Sequence, residues 1–314
     1  MTFNVVILSG GLSLEREVSL RSGRRVQEAL SDRGHQTTLL DLDNDLVPTL
    51  AHGKFDAAFL TLHGKAGEDG TIQGLLNLLG LPYTGPDATA SALAWDKGVF
   101  KGMLRREGLT TPPWVAVSSD AIRTMGAGQA LDRIAASLGG PFVVKPAQGG
   151  ASMGVRFVPD EAGLAQALVT GFNYHDVVLV ERFVEGTEVA VSVVDGEALP
   201  AVEIVPKGGS YDFAARYTAG ATEFFAPARL DAATLQRCAD LAVQAHELIG
   251  CRQIARADMI VDGDGQPWLL ELDTCPGMTE TSLLPMAAQA AGIAFGDLCE
   301  RLVRGAVERT HVTV

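Results

Sequence analysis

One stretch near the end of the chain, "ARADMIVDGDGQPWLLELDT" (255–274), restricts the fold more than any other. Two apolar runs flank a DGDG turn signal, the pattern of an antiparallel hairpin. Yet Asp258, Glu271 and Asp273 stand inside those runs. With Asp264-Gly265 as a two-residue turn, Asp258 faces Glu271, and Asp273 shares Glu271's face because strand side chains alternate. Met259, Val261, Trp268 and Leu270 then fall on the opposite face. Three carboxylates on one patch repel strongly where the dielectric is low. A hard divalent cation with oxygen ligands relieves that repulsion, and Mg²⁺ commonly bridges from carboxylates to substrate phosphates. A solvent-facing acidic hairpin reads the same way, so this stretch alone leaves both open. The "CPGMT" that follows cannot continue a strand.

The chain has 314 residues, which favours two or three packed units over a single core. Thirty-five glycines imply many tight turns or loops that approach a ligand closely. A net charge of -13 argues against nucleic acid or an anionic membrane surface as partner. It does not exclude an anionic substrate held in a local basic pocket. The four cysteines show no C-x-x-C spacing, and the N-terminus has neither a basic region nor an apolar run long enough for export. The expectation is a soluble cytoplasmic protein with reduced thiols and no membrane partner.

The first 85 or so residues alternate strand and helix. "NVVILSGG" reads as a buried strand, "REVSLRSGRRVQEALSDRG" as an amphipathic helix with Val18, Leu20, Val26 and Leu30 inward, and "HQTTLLDLD" and "AAFLTLHG" as the next strands. That implies an open parallel α/β sheet, whose ligands sit beyond the carboxyl ends of the strands. Residues 9–14 and 63–70 are in such places. "ASALAWDKGVFKGMLRREG" is a new helix, and "PFVVKPAQGGASMGVRFV" is strand, glycine-rich loop, strand. Further strands follow to about residue 206. A polar, mobile loop (207–222) and an Asp-capped helix "DAATLQRCADLAVQAHELIG" come before the hairpin. The expected units are 1–90, 91–186 and 187–314.

Two more stretches bear on chemistry. In "KPAQGGASMG" (145–154) glycines let backbone N–H groups approach a phosphate and the lysine adds a point charge. The stretch is neither a Walker A nor a G-x-G-x-x-G sequence, and an ordinary turn reads the same way. In "VLVERFVEGTEV" (178–189) the strand end offers backbone beside Glu181 to an adenine edge and Glu188 to a ribose hydroxyl. A salt-bridged strand end fits that stretch equally.

Taken in order, a lysine–glycine loop, a strand with two glutamates and Asp…Glu-x-Asp on a hairpin resemble the ATP-grasp ligases. "GGLSLEREVSLRSG", "LHGKAGEDGTIQGLL", "LPYTG", "SALAWDK", "YDFAARY", "RADMIVD" and "DTCPGMTETSLLPMAAQAAG" resemble, in order and spacing, motifs of the D-alanine–D-alanine ligase family. The resemblance implies an ATP-grasp fold behind a Rossmann-like N-terminal domain. It also implies ligation through an acyl phosphate for peptidoglycan precursor synthesis, and a homodimer. Lys97 and Lys145 match the phosphate-binding lysines. Ser152 lies in the phosphate loop, and Glu181, Phe183, Val184 and Glu188 match the adenine- and ribose-binding stretch. Asp258, Glu271 and Asp273 match the ligands of two Mg²⁺ ions, with Mn²⁺ as a substitute. Arg256 and the Gly277 N–H match the oxyanion site. Glu15 matches the group that holds the first ammonium, and His63 lies by the same substrate. Ser282 and Leu283 match the seat of the second carboxylate. Arg216 and Tyr217 belong to the lid.

Several residues depart from the family pattern. Asp273 stands where asparagine is usual, and Gly149-Gly150-Ala151-Ser152 where Glu-Gly-Ser-Ser is common. Ser210-Tyr211 replaces an aromatic pair, Arg216 a lysine, and Ile254-Ala255 a frequent Trp-Gly. Ala151 lacks the hydroxyl that joins Glu15 and Tyr217 in a hydrogen-bonded triad. These departures admit an alternative, a related ligase for another amino-acid or hydroxy-acid pair.

Overall fold

The computed structural model describes residues 1–310 apart from 209–214, 216, 217 and 219. The chain runs β1 (Asn4–Ser9), α1 (Arg16–Asp32), β2 (Gln36–Asp41), α2 (Leu46–His52), β3 (Ala57–Leu60) and α3 (Thr71–Leu78). It continues with α4 (Ala88–Trp95), α5 (Lys97–Arg106), β4 (Trp114–Ser118), α6 (Ser119–Met125), α7 (Ala127–Leu138), β5 (Phe142–Pro146), β6 (Arg156–Val158), α8 (Leu164–Phe172) and β7 (Val177–Arg182). Then come β8 (Thr187–Val194), β9 (Glu197–Ala198), β10 (Val202–Pro206), β11 (Thr222–Phe225) and α9 (Ala232–Leu248). The chain closes with β12 (Ile254–Val261), β13 (Pro267–Asp273), α10 (Leu283–Ala290) and α11 (Phe295–Thr310).

Three sheets form. The first is parallel, in the order β2-β1-β3, as the strand–helix alternation predicts. The second, β4-β7-β5-β6, and the third, β11-β10-β8-β12-β13 with β9 beside β8, are antiparallel. The face of α1 on the first sheet differs from the sequence reading. Ser19, Ser22 and Gly23 are buried along with Val26 and Leu30, whereas Val18 and Leu20 are only partly covered. Small side chains let the helix lie close to β1, and the Ser19 hydroxyl joins the two sides of the crevice. It accepts the Gly10 N–H at 2.8 Å and donates to the Thr61 carbonyl at 2.7 Å.

Two corrections concern the site's framework. The helix expected across 90–108 is two helices, broken at Asp96. The Asp96 carboxylate accepts the Val99 N–H at 3.0 Å and caps α5, which makes Lys97 the first residue of a new helix. The hairpin turn is not the two-residue Asp264-Gly265. Asp262 pairs with Gln266 through a 3.1 Å backbone bond, enclosing three residues. The Asp262 carboxylate dictates this loop by accepting the Asp264 and Gln266 N–H groups and the Trp268 indole N–H, at 3.0, 2.9 and 2.8 Å. A three-residue loop shifts the register by one, and a bulge at Leu270 shifts it back. Asp258 therefore still faces Glu271, and Arg256 faces Asp273. The bulge also turns side chains over. Leu270 lines a cavity with Glu271, and Trp268 lies under the Arg182 guanidinium. Only Met259 and Val261 of the four apolar residues face the core away from the carboxylates, with Leu269 and Leu272.

The cores tie the ends of the chain together. Val5, Ile7, Val26 and Leu30 pack with Leu298, Leu302 and Val303 of α11, so the last helix covers the first sheet. Ala94, Phe100 and Leu104 of α4 and α5 pack on Met259 and Leu269 of the third sheet. The second sheet has its own core around Phe142, Val144, Leu164 and Val178.

Candidate active site

Two cavities meet between the sheets. The larger, about 840 Å³, lies between the second and third sheets. Lys145, Ser152, Glu181, Phe183, Val184 and Glu188, the residues matched to the nucleotide, all line it. The smaller, about 110 Å³, lies between the first and third sheets and is lined by Glu15, His63, Arg256, Gly277, Ser282 and Leu283, with Asp273 beside them. Four residues line both: Lys97, Gly149, Gly150 and Glu271. The structure thus sorts most of the residues named from sequence into two groups, with Asp258 in neither, and joins the groups at one point.

At that junction Lys97 reaches from the start of α5. Its Nζ donates to the Gly149 carbonyl at 2.5 Å and lies 3.3 Å from Glu271 Oε2. The loop that follows β5 holds Ala151 and Ser152 at φ of 49° and 55°, left-handed values that non-glycine residues adopt rarely. The Met153 N–H closes this turn onto the Gly150 carbonyl at 3.1 Å. Gly150 lies against Glu15: a Cβ there would come within 2.9 Å of Glu15 Oε2. Gly277 is equally constrained, since a Cβ would meet Ser282 Oγ at 2.6 Å.

The hairpin carboxylates are held by cations. Arg256 forks onto Asp258, Nε to Oδ1 at 2.7 Å and Nη2 to Oδ2 at 2.8 Å, and its Nη1 lies 2.9 Å from Asp273 Oδ2. The Cys275 N–H donates to Asp273 Oδ1 at 2.9 Å. Asp258 is buried behind Arg256 and lines neither cavity, whereas Glu271 lines both and Asp273 the smaller one. Among the described residues no three His, Cys, Asp or Glu side chains form a closed metal cage. The donor set nonetheless suits Mg²⁺, which takes one or two carboxylates and completes its octahedron with phosphate oxygens and water.

Glu181 is a buried carboxylate between two ammonium groups, Lys145 at 2.9 Å and Lys101 at 3.2 Å. Burial pushes its pKa up, but the two lysines outweigh burial and hold it below the usual carboxylate range. Lys101 was not anticipated from sequence. Its Nζ donates to the Thr111 hydroxyl at 2.6 Å, and burial lowers its pKa to about 8 despite the Glu181 charge. The signal was present: Lys97 and Lys101 are four apart, on one face of one helix. Glu68 was also missed, although it stands in a quoted motif. It lines the smaller cavity and accepts the Gly64 N–H at 2.8 Å. Burial first, then the charges of Asp273 and Glu15, push its pKa well above the usual range. His63 Nδ1 is 3.9 Å from Glu68, and its buried Nε2 has no hydrogen-bond partner among the described residues. Arg216, Tyr217 and Ser210-Tyr211 lie outside the described residues, as does most of the expected lid.

The departures sort clearly. Ala151 lines the smaller cavity. Ile254 and Ala255 line neither; each is buried in a hydrophobic core, so that pair concerns packing rather than substrate.

A two-sheet grip on a large cavity, opening at a lysine–glutamate junction onto a small charged one, is the architecture of an ATP-grasp ligase. The family model described as "D-ala D-ala ligase C-terminus" matches residues 103–304, and "D-ala D-ala ligase N-terminus" matches 47–86. The chain is 45% identical over 302 residues to the D-alanine–D-alanine ligase of Anaeromyxobacter sp. (strain K), covering 96% of each chain. It is 44% identical to that of Pelotomaculum thermopropionicum, covering 99% of each. Among solved structures, the D-alanine–D-alanine ligase from Bacillus anthracis superposes with a TM-score of 0.86 at 32% identity over 100% of both chains. The same enzyme complexed with ATP gives 0.85 at 31% identity, again over the full length of both. The chain belongs to the D-alanine–D-alanine ligase family.

Proposed function

We propose that the larger cavity takes ATP, the smaller one takes two D-alanine molecules in sequence, and the chain joins them into D-alanyl-D-alanine for peptidoglycan precursor synthesis. The observation that carries this reading is the junction. Lys97, Gly149, Gly150 and Glu271 border both spaces, so a γ-phosphoryl group there touches the nucleotide side and the amino-acid side together.

The first D-alanine offers its carboxylate to the γ-phosphorus and ADP leaves, giving an acyl phosphate. The amine of the second attacks the acyl carbon, and phosphate departs with one of the original carboxylate oxygens. Phosphoryl transfer needs positioning and charge neutralisation more than covalent help. In this reading Lys97, Lys145 and the Ser152 loop hold the phosphates, backbone at Phe183 and Val184 beside Glu181 meets adenine, and Glu188 meets ribose. Glu15 holds the first ammonium with His63 alongside. Ser282 and Leu283, at the start of an eight-residue helix, receive the second carboxylate. Arg256 and the Gly277 N–H face the oxyanion that develops at the acyl carbon. Arg216 and Tyr217 close over the phosphate and substrate.

Asp258, Glu271 and Asp273 are assigned to two Mg²⁺ ions, or Mn²⁺ in their place. When bound, the metal neutralises the phosphate charge that opposes attack by a carboxylate. Glu271 and Asp273, two apart on β13 and both lining the smaller cavity, support that assignment, with Asp258 paired to Arg256 on the neighbouring strand. The division at residues 90 and 186, which gives each unit one sheet, belongs to the same proposal. So do a homodimer and a cytoplasmic location. No helix of the described residues is long and apolar enough to cross a membrane, and no disulfide links the four cysteines.

The test is ATP turnover over a panel of single and paired D- and L-amino acids and D-hydroxy acids, with products identified by mass. D-alanine alone is expected to give the dipeptide. Turnover by another pair with D-alanine inert would reassign the substrate, and no amino-acid-dependent ADP release would end the reading.

A further inference from the structure

Helix α1 begins where the first substrate is assigned and passes, two turns later, beneath the loop assigned to the second. Glu15 immediately precedes α1 and lines the smaller cavity. Ser22 and Arg25, on the same helix, face residues 276–282. The Ser22 hydroxyl accepts the Met278 N–H at 3.1 Å. A single Arg25 nitrogen, Nη1, donates to both the Met278 carbonyl at 2.9 Å and the Thr279 carbonyl at 2.7 Å. The Thr279 carbonyl also accepts the Ser282 N–H at 3.2 Å, and the Thr279 N–H donates to Ser282 Oγ at 3.0 Å. Arg25 is fixed from its other side by the Phe295 ring, 3.7 Å from its guanidinium carbon.

These bonds form a short chain from helix to site: Arg25 to the Thr279 carbonyl, and from Thr279 to the Ser282 backbone and hydroxyl. Hydrogen bonds from a charged donor are the strong ones, and a carbonyl so held fixes the peptide planes beside it. Gly277 directly precedes those planes, and Ser282 is tied to them through Thr279. By contrast, Arg21 meets Glu280 at 3.3 Å with both side chains more than half exposed, and such a pair contributes little. Neither Ser22 nor Arg25 lines the cavity.

We propose that Arg25, supported by Ser22, is a positioning residue that sets the second-substrate seat through the Met278 and Thr279 carbonyls. This rests on the reading of Ser282 and Gly277 as second-substrate groups. The clamp places both amino-acid seats on one rigid helix, so the distance between the acyl carbon and the incoming amine is governed by α1.

The experiment uses the full-length enzyme and three variants: Arg25→Met, which keeps the stem against Phe295 but removes the donors, Ser22→Ala, and Ser282→Ala as a reference. The rate against D-alanine concentration is resolved into a first-site and a second-site KM, with the KM for ATP and the melting temperature alongside. Arg25→Met is expected to raise the second-site KM about tenfold while the first-site and ATP values stay within about twofold. Ser22→Ala moves the same constant, in the same direction, by about threefold. If Ser282→Ala raises the second-site KM and Arg25→Met does not, the clamp is wrong and the seat stands. If Ser282→Ala is silent, the seat is wrong and the clamp falls with it. A rise in all three KM values with a lowered melting temperature makes Arg25 structural and also overturns the proposal. Should Arg25→Met not fold, Arg25→Lys and Ser22→Ala decide the same question.

Discussion

The two cavities solve opposite problems with the same hairpin. The larger, about 840 Å³, has walls from two different sheets, with Val143, Phe183, Ile260 and Leu270 offering flat apolar surface to whatever enters. Among its charged groups, Lys145 is tied to Glu181, which Lys101 also holds from behind the wall. The smaller, about 110 Å³, gathers its charges into far less space: Glu15, Glu68, Arg256, Glu271 and Asp273 crowd it, with Arg256 and Lys97 already placed against the carboxylates. An apolar slot binds by area and tolerates adjustment. A space filled by oriented charges stabilises a changing charge distribution without reorganising, which is what a reacting centre needs. In the proposed reading binding and chemistry are divided between the cavities, and Glu271 lines both.

The sharpest way to break that division is at Glu271. Glu271→Gln is expected to lower kcat by at least about a thousandfold with folding and nucleotide binding retained, because it removes charge from the one point where both cavities act together. Stopped-flow binding of a fluorescent ATP analogue beside steady-state turnover checks it; an active variant contradicts the junction. Lys145→Met should act on one side only. Losing a charged partner of both phosphate and Glu181 is expected to raise the KM for ATP about tenfold, leaving both D-alanine constants near wild type. Equal rises for nucleotide and amino acid would show the cavities are not separable.

A smaller effect concerns Lys101, buried behind the nucleotide wall. The folded protein releases its proton near pH 8, whereas the free side chain holds it to 10.5. Between those values the unfolded chain binds more protons, so this group makes stability rise with pH across that window. Urea midpoints of wild type and Lys101→Met from pH 7.5 to 10 are expected to show a rise only in the wild type. Parallel curves would mean that Lys101 keeps its ordinary affinity.

The larger cavity was legible in part, since many of its polar groups come from two continuous stretches, 145–154 and 178–189, whereas Glu203 and Arg229 line it from elsewhere and were not named. The smaller cavity was legible through its motifs but not through its contacts. Glu68 escaped because its importance lies in burial and in the charges of Asp273 and Glu15, from other elements, which spacing does not encode. The hairpin shows how a correct pairing can rest on an incorrect turn: Asp262's side chain enlarged the loop, the bulge at Leu270 compensated, and Asp258 still met Glu271. The helix break at Asp96 is a capping event that apolar periodicity could not reveal. Ile254-Ala255, a departure from the family pattern, is a core substitution: the two side chains alternate across β12 into two different cores.

The most direct measurement follows one oxygen. D-alanine labelled with ¹⁸O in both carboxylate positions is turned over with unlabelled ATP, and the released phosphate is analysed by mass. Attack of the carboxylate on the γ-phosphorus, followed by loss of phosphate from the acyl carbon, predicts one ¹⁸O atom in each phosphate formed with dipeptide. Unlabelled phosphate accompanying dipeptide would mean that the carboxylate is never phosphorylated, and the chemistry placed at the Lys97–Glu271 junction would be wrong.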